Sequence, residues 1–478
     1  MKPLDIVPPI EASGQPPATP AIGIGSVSGV PGSGSVSADA VIAAEMPTLR
    51  TRALHGSAAT TIGYCASQVL RLVNTYVLTR LIVPEEMGLM GMVSVLLQGL
   101  EMFSDIGTAP SIIQNRRGGD PEFLNTAWTL QIARGFGLWL LACLCAVPFA
   151  VFEHQPRLIV LVIICGSSNV FRGLNSTALV FLSRQLYLGK ITILGIAGQI
   201  VVLTVTVIWA LISPTVWALV AGNYAGVIFQ TILSYFVVPG HRNRLAFNRE
   251  DARAMFKFGR WIFISTALTF FAGYGDKLMF GRLLGPAQFA IYGIASEIAK
   301  LPPMFIKKIG GQVAFPMLAE ISRERPHMFY RRLAHVRMAL IGVSLCLLLP
   351  LILFGQQLIN LIYRDQWREA GWMLRILAVS GCGGIIISTY GSALFALGKT
   401  FQAMFLLVTQ LIILVPAALL GYHWYGEKGF IVGVAMVEWL NYPFMAVVAA
   451  KSRIWQPQID FPAMLLSGAA MAVAYWVL

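Results

Sequence analysis

Apolar residues along this chain gather into runs of about 20, long enough to cross the hydrocarbon core of a bilayer as helices, with short polar or basic stretches between them. Six runs lie near residues 57–80, 88–110, 127–152, 158–181, 190–213 and 215–238. Seven more follow near 260–281, 287–311, 336–356, 370–396, 401–421, 429–449 and 461–478. The pattern predicts an all-α, polytopic membrane protein of about 13 transmembrane helices. Composition agrees, since 56% of the 478 residues are hydrophobic and 12% are charged, about half the charged share of a soluble domain.

The formal charge of +13 changes this picture little. A nucleic-acid binder concentrates its Lys and Arg on one face, whereas here they are scattered through the loops, so no nucleic-acid partner is expected. Placing the N-terminus in the cytoplasm puts most of the 35 Lys and Arg in cytoplasmic segments, as the positive-inside rule requires. The richest of these, "GHRNRLAFNREDARAMFKFGR" (240–260) and "ISRERPHMFYRRLAHVR" (321–337), carry topogenic charge and could also rest on anionic membrane lipids. All six cysteines fall inside apolar segments, where a thiol behaves as a small hydrophobe. Neither a disulfide framework nor a metal site is read from them. Residues 1–55, rich in Gly, Pro, Ser and Ala, cannot bury enough surface to fold and are expected to form a disordered cytoplasmic tail.

"TRLIVPEEMGLMG" (79–91) and "GRLLGPAQFAIYG" (281–293) share Arg, Leu, a spaced Pro and a final Gly, at an offset of 281 − 79 = 202 residues. The same register pairs Asn74 with Asp276, Pro148 with Pro350 and Phe152 with Phe354. An even number of spans separates the copies, so both halves enter the membrane in the same direction and should be related by an axis along its normal. The expected organisation is an N-terminal six-helix lobe (56–238), a basic cytoplasmic linker (239–259), a C-terminal six-helix lobe (260–450) and an extra C-terminal transmembrane helix (451–478), with a central cavity between the lobes. Paired bundles of this kind rock to expose a midplane site to one side at a time.

The segment "TRLIVPEEMGLMGMVSVLLQGLEMFSDIGTAPSIIQNRR" resembles the opening of the polysaccharide transporter, or oligosaccharide flippase, family. It has the Arg-Leu-x-x-Pro turn, the Gly entering the second span, then Asp-x-Gly and an Ile-Gln-basic exit. "GVIFQTILSYFVVPGHRNRLAFNREDARAMFKFGRWIFISTAL" is similar to that family's link between lobes, and the likeness covers roughly residues 57–450. The resemblance implies the fold of the multidrug, oligosaccharidyl-lipid and polysaccharide exporter superfamily and a bacterial inner-membrane location. The cargo it implies is an undecaprenyl-pyrophosphate-linked oligosaccharide repeat unit, flipped outward for exopolysaccharide or lipopolysaccharide O-antigen assembly. Polysaccharide polymerase and export machinery are the protein partners it implies, and no cofactor is called for.

Ionisable side chains inside spans are costly unless they face a partner or water, so each is a candidate for function. In the second span Ser94, Gln98, Glu101 and Asp105 recur at spacings of four, three and four and share one helix face. With Arg134 and Arg172 of the next two spans, Glu101 and Asp105 would ring the cytoplasmic mouth of the first lobe. Two readings stand: a clamp or gate for an anionic headgroup, or an ion-pair network holding the lobe together. Arg71, at helical spacing from Gln68 and Asn74 or Thr75, is read as lumen-lining, whereas snorkelling is open to Arg134, Lys277 and Arg375. In "IYGIASEIAKLPPMFIKK" Glu297 and Lys300 are three apart and could pair with each other. Pro302 and Pro303 should bend the eighth span and free carbonyls, which makes a substrate site around Lys300 or a tolerated kink. Glu438 could bind a coupling proton or pair within its lobe. The headgroup candidates are therefore Arg71, Arg134, Arg172 and Lys300, the gate or ion-coupling candidates Glu101, Asp105, Glu297 and Glu438, and the hinge Pro302 and Pro303.

"GSALFALGKT" (391–400) ends like a phosphate-binding loop, but Ala393 stands where that motif needs glycine and no strand precedes it. Asn175, Ser176 and Thr177 form a glycosylation triplet inside a span and are read as coincidence. No Ser, His and Asp set and no metal-spaced His cluster is present, so a transporter is expected rather than an enzyme such as a membrane polymerase. The competing function is a cation-coupled multidrug exporter on the same fold. Single cysteines at positions 71, 101, 172 and 300 should react with water-borne maleimide in at least one transport state. Protection of all four in every state would remove the wet passage.

Overall fold

The computed structural model describes residues 49–104, 107–115, 117–185, 187–237 and 243–476. Asp105, most of the expected tail and the first residues of the linker lie outside the described residues. The chain clusters into two units, Met1–Thr51 and Arg52–Leu478, and the contacts below all lie within the second.

The described residues form helices and short connections, with no strand among them. In order they are α1 (Leu49–Leu81), α2 (Pro84–Phe103), α3 (Thr108–Gln114), α4 (Pro121–Phe152), α5 (Arg157–Gly173), α6 (Ala178–Arg184), α7 (Leu188–Ile212) and α8 (Val216–Ser234). The second part of the chain continues with α9 (Arg249–Ile309), α10 (Phe315–Glu324), α11 (Phe329–Ile362), α12 (Ala370–Ala396), α13 (Thr400–Lys451) and α14 (Pro457–Trp476). The sequence punctuates these helices by ordinary rules. Pro84 and Pro121 stand in the first turns of α2 and α4, where the missing N–H costs nothing. Asn248 caps α9 by accepting from the backbone N–H of Glu250 at 2.9 Å.

Two of the longest helices double back. In α9 the turn is Gly285 (φ 80°, ψ 175°), a conformation that carries a Cβ badly. Phe280 stacks on Tyr292 with centroids 4.3 Å apart, so residues on either side of the turn face each other across an antiparallel pair of arms. In α13 the turn is Tyr425–Gly426, and a Cβ on Gly421 would sit 2.1 Å from the carbonyl oxygen of Gly429. The arms meet backbone to backbone because neither position has a side chain. Among the described residues, seven helices are long and apolar enough to cross a membrane, or up to nine if the two bent pairs α2–α3 (42°) and α5–α6 (61°) each count as one span. Residues 49–55, expected in the tail, are already helix, and residues 249–259, expected in the linker, are the opening of α9.

The linker is tied to the N-terminal helices. Arg244 donates its N–H to Asn125 Oδ1 at 2.9 Å, Thr129 Oγ1 donates to the carbonyl of Ala246 at 2.8 Å, and Asn248 donates to Thr126 Oγ1 at 3.2 Å. Met255 closes a small core with Ile112, Phe123, Leu124 and Ala127. Residues 244–255 therefore pack on the first half of the chain.

The main core lies at the end of the bundle away from the linker, here called the far end. It joins the halves: Leu89, Met92, Leu161 and Val216 from the first half pack in one cluster with Phe280, Tyr292, Ile359, Trp367, Met373 and Phe430 from the second. At the linker end the cores are separate, one around Ile112 and Phe123 and the other around Leu318, Leu333, Tyr390 and Met445. The shared core is broadest at the far end but reaches as deep as Leu100 of α2 and Phe270 of α9, where Thr266 Oγ1 donates to the carbonyl of Met102 at 3.1 Å; beyond that the helices of each half form clusters of their own, with Met255 of α9 joining the first.

The last helix is held by a buried ion pair that no span pattern revealed. Arg337 of α11 and Asp460 of α14 are both fully buried and paired. Arg337 also donates to Thr389 Oγ1 at 3.1 Å and Gln456 Oε1 at 3.2 Å, while Tyr390 and Tyr442 donate to Asp460 Oδ2 at 2.7 and 3.0 Å. Every strong partner is satisfied, which such a pair requires in an apolar setting. Arg337→Met should therefore lower stability by about 3–5 kcal/mol, read as a fall in the thermal transition of the purified protein in detergent.

Candidate functional site

The charged side chains gather in three places. The first is the linker end of the N-terminal helices, where the two bent pairs break. Arg134 of α4 donates through Nη2 to the carbonyl of Glu101 at 2.8 Å and through Nε to Ser104 Oγ at 3.1 Å. It therefore caps the end of α2, where carbonyls lack helical donors, and does not snorkel. Arg172, at the end of α5, lies 3.9 Å from Glu101, and its side chain is 49% exposed. The cluster expected from sequence is assembled for Glu101, Arg134 and Arg172; Asp105 lies outside the described residues. Of the two arginines, Arg172 is the more exposed.

The second place is a cavity of about 350 Å³ between α1, α2 and both arms of α9. Leu72 and Thr75 of α1, Ser94 and Gln98 of α2, and Lys277 and Glu297 of α9 line it. Arg71 is exposed one position before Leu72. Ser94 and Gln98 of the second-span stripe and Thr75 of the first thus line a cavity between the halves, whereas Gln68, Arg71, Asn74 and Glu101 are not among its lining residues.

The third lies inside the C-terminal helices. A cavity of about 300 Å³ is lined by Asp276, Lys300, Pro303, Lys307, Gln410 and Glu438. It shares Lys307, Gln410 and Glu438 with a larger space of about 680 Å³ that extends toward Phe395 and Thr400 at the linker end. Here the expected Glu297–Lys300 pair is not made. Lys300 turns to Asp276 at 3.7 Å, whose carboxylate also accepts from Tyr292 at 2.6 Å. The physical reason is burial: Asp276 is nearly enclosed and needs a counter-charge, whereas Glu297 is exposed to the neighbouring cavity. Glu438 is held by Gln410 Nε2 at 2.9 Å. The helix runs unbroken through Pro302 and Pro303, and its irregularities fall at Gly285 and in a π-helical turn at Gly310–Ala314. The two prolines still leave the carbonyls of Ile298 and Ala299 without helical donors, beside Lys300.

Arg375, open to a snorkelling reading, is instead buried. It donates to the carbonyls of Ile352, at 3.0 Å, and of Ala474, tying α14 to α11. The sequence also gave no hint of the far-end contacts. Arg80 Nη2 donates to the carbonyl of Ile362 at 3.1 Å, and Trp367 Nε1 to that of Thr79 at 3.1 Å. Arg282 donates to the carbonyl of Phe152 and meets His154 Nε2. Beside them Glu153, at the end of α4, is 3% exposed. Burial pushes its carboxyl up to about 7 against the opposing pull of Arg282.

Bundles of this architecture are known. The solved lipid II flippase MurJ, in an inward closed conformation, matches with TM-score 0.71 and 12% identity over 87% of this chain and 93% of its own. An inward-facing multidrug resistance MATE family transporter of the MOP superfamily matches with TM-score 0.65 and 14% identity over 85% of this chain and 95% of its own. The chain therefore has the fold of these two solved structures. Within that fold the sequence is more specific: the family described as "Polysaccharide biosynthesis protein" matches residues 77–371, and the chain belongs to it. Among its relatives, the "Lipopolysaccharide biosynthesis protein WzxC" of Escherichia coli strain K12 is 24% identical over 405 residues, 82% of this chain and 80% of its own.

The geometry holds Arg172 only weakly. An ion pair this exposed and this long contributes little, so Arg172→Ala should cost under about 1 kcal/mol in stability, measured by the thermal transition in detergent. A loss of several kcal/mol would make Arg172 a strut.

Proposed function

We propose that this protein is a flippase that moves undecaprenyl-pyrophosphate-linked oligosaccharide repeat units across the bacterial inner membrane, supplying exopolysaccharide or lipopolysaccharide assembly. The observation that carries this is a chain of the polysaccharide-biosynthesis family whose halves are sealed at one end and flank a cavity bearing Lys277, Glu297, Ser94 and Gln98. The far end faces outward in this proposal, with the N-terminus and linker cytoplasmic, as the distribution of basic residues favours. With two passes from each folded helix, one from each bent pair and one each from α1, α4, α7, α8, α11, α12 and α14, the chain then makes about 13 passes, arranged as two six-helix lobes and one further helix.

The site works by offering cations that are not fully spent. Arg71 and Arg172, exposed on α1 and α5, and Lys300, half-exposed beside Asp276, bind the pyrophosphate headgroup as it enters from the linker side. The sugar needs polar surface and the polyprenyl chain can stay in lipid. Movement follows when the far-end core parts and the linker end closes. The membrane potential, negative inside, drives the anion outward by about 2.3 kcal/mol per charge per 100 mV, so no ATP is required. Glu101, Glu297 and Glu438, acids beside these cations, set the return of the empty site by binding a proton or Na⁺. Polysaccharide polymerase and export machinery receive the product. The likeness to a multidrug transporter reports the shared bundle, and the family match favours the sugar-lipid cargo.

Deleting the gene should make lipid-linked repeat units accumulate on the cytoplasmic leaflet with drug tolerance unchanged. Complementation with Arg71→Ala should leave that accumulation in place although the variant is inserted at normal level. Full export by both Arg71→Ala and Arg172→Ala would overturn the cationic site.

A further inference from the structure

The far-end seal is built from positions that the internal repeat makes equivalent. Arg80 and Arg282 are 282 − 80 = 202 residues apart, the offset of the repeat. Arg80 lies at the end of α1, and Arg282 at the end of the first arm of α9. Each reaches across to the carbonyl that closes a helix of the other half: Arg80 to Ile362 at the end of α11, Arg282 to Phe152 at the end of α4. The exchange is reciprocal, as a twofold relation between halves demands. What surrounds each contact is not symmetric. Around Arg80 the seal is completed by neutral donors, Trp367 and Gln366, both on the carbonyl of Thr79. Around Arg282 it is completed by Glu153 and His154.

Glu153 is almost fully enclosed, and its Oε2 has no hydrogen-bond partner. It lies against the first arm of α9, where a Cβ on Gly281 would be 2.7 Å from Oε2, beside the methyl of Met92 in α2. The groups that face it are few. From α9 the charge is Arg282, which is taken up by the Phe152 carbonyl and by His154 Nε2. From α2 the nearby acids Glu85 and Glu86 are engaged by Arg157 of α5, at 3.9 and 3.4 Å. His154, held at φ 55°, must present a bare nitrogen to Arg282, because a guanidinium has donors only. Ionising Glu153 in this place leaves a buried carboxylate oxygen unpaired, whereas parting the halves would give it water.

We propose that Glu153 is a proton-binding site of the far-end seal, protonated while the halves are joined and ionised when they part. This rests on the alternating exposure proposed above. The step is a simple dissociation: the carboxyl O–H breaks, its electron pair stays on the carboxylate, and the proton goes to water at the opening end. The sealed-state value of about 7 lies above that of an exposed glutamate, near 4.3. Acid therefore favours the seal, and the preference is lost as pH rises through the sealed-state value, by up to about tenfold per pH unit in that window. Proton uptake and release occur on the same side, so the device sets how readily that side opens and does not by itself move protons across the membrane.

The test reads the opening directly. Spin labels on Ser213→Cys and Arg364→Cys, in far-end loops of the two halves, report their separation by electron–electron distance measurement in lipid nanodiscs. The native cysteines are replaced, and His154→Gln removes the imidazole beside Glu153. Between pH 5.5 and 8.5 the parent should pass from a short distance to a mixture with a longer one, rising most steeply below pH 7. Glu153→Gln should hold the short distance throughout, and Glu153→Leu, which fills the same apolar space, should do the same. A glutamine or leucine variant that titrates like the parent, or a parent that does not move with pH, would overturn the proposal. No sugar lipid is needed for this readout, so its failure is distinct from failure of the flippase assignment, which the accumulation experiment decides.

Discussion

The structure depends on one asymmetry, a core that the two halves share from the far end down to Leu100 and Phe270 and that gives way to separate clusters toward the linker end. Met92 and Leu161 on one side pack into the same cluster as Phe280, Tyr292 and Trp367 on the other, and reciprocal arginine–carbonyl bonds close it. Packed interiors do not deform continuously, so the halves can move apart only by giving up that cluster as a unit. The cavity bearing Lys277 and Glu297 is bounded by the same helices that make the seal, α2 and both arms of α9. Access to it and integrity of the seal are therefore one variable.

The second principle is how basic side chains are divided between those tied into the protein and those left exposed. Arg134, Arg337 and Arg375 each spend their guanidinium on protein: a helix end, a buried aspartate, two carbonyls. In a low-dielectric interior these groups are fixed by the cost of leaving them unpaired. Arg172 has a long and exposed contact, and Arg71 is exposed on α1. The difference is invisible in composition, since all five are arginines within or beside apolar runs.

The repeat shows which features the two halves share and where they part. The Arg-Leu turn and its proline recur as Arg80 with Pro84 and Arg282 with Pro286, because both copies have to turn sharply and reach the opposite half. Inside the spans the copies diverge. Asn74 and Gln98 stand where the second half has Asp276 and Lys300, so the charged pair that joins Tyr292 there has neutral side chains at the equivalent positions of the first half. The seal likewise received its titratable group in one copy.

Much of the architecture was legible from the chain because bilayer thickness and helix rise set the length of an apolar run, and because one register carried through both halves. That was enough for an all-helical membrane bundle and for the face on which Ser94, Gln98 and Glu101 lie. Only the folded structure decided which partner each charge took. Glu297 and Lys300, three apart on one helix, invited a local pair, yet Lys300 turned to Asp276 on the other arm because that carboxylate is the more deeply buried. Likewise Pro302 and Pro303 suggested a bend, yet the helix runs through both, and the irregularity of that arm falls at the π-helical turn Gly310–Ala314. Arg337, Asp460 and Glu153 sit at the ends of spans, where sequence cannot distinguish a solvated loop from a buried joint. That distinction rests on what packs over them from helices over 100 residues away, and local pattern carries no information about it.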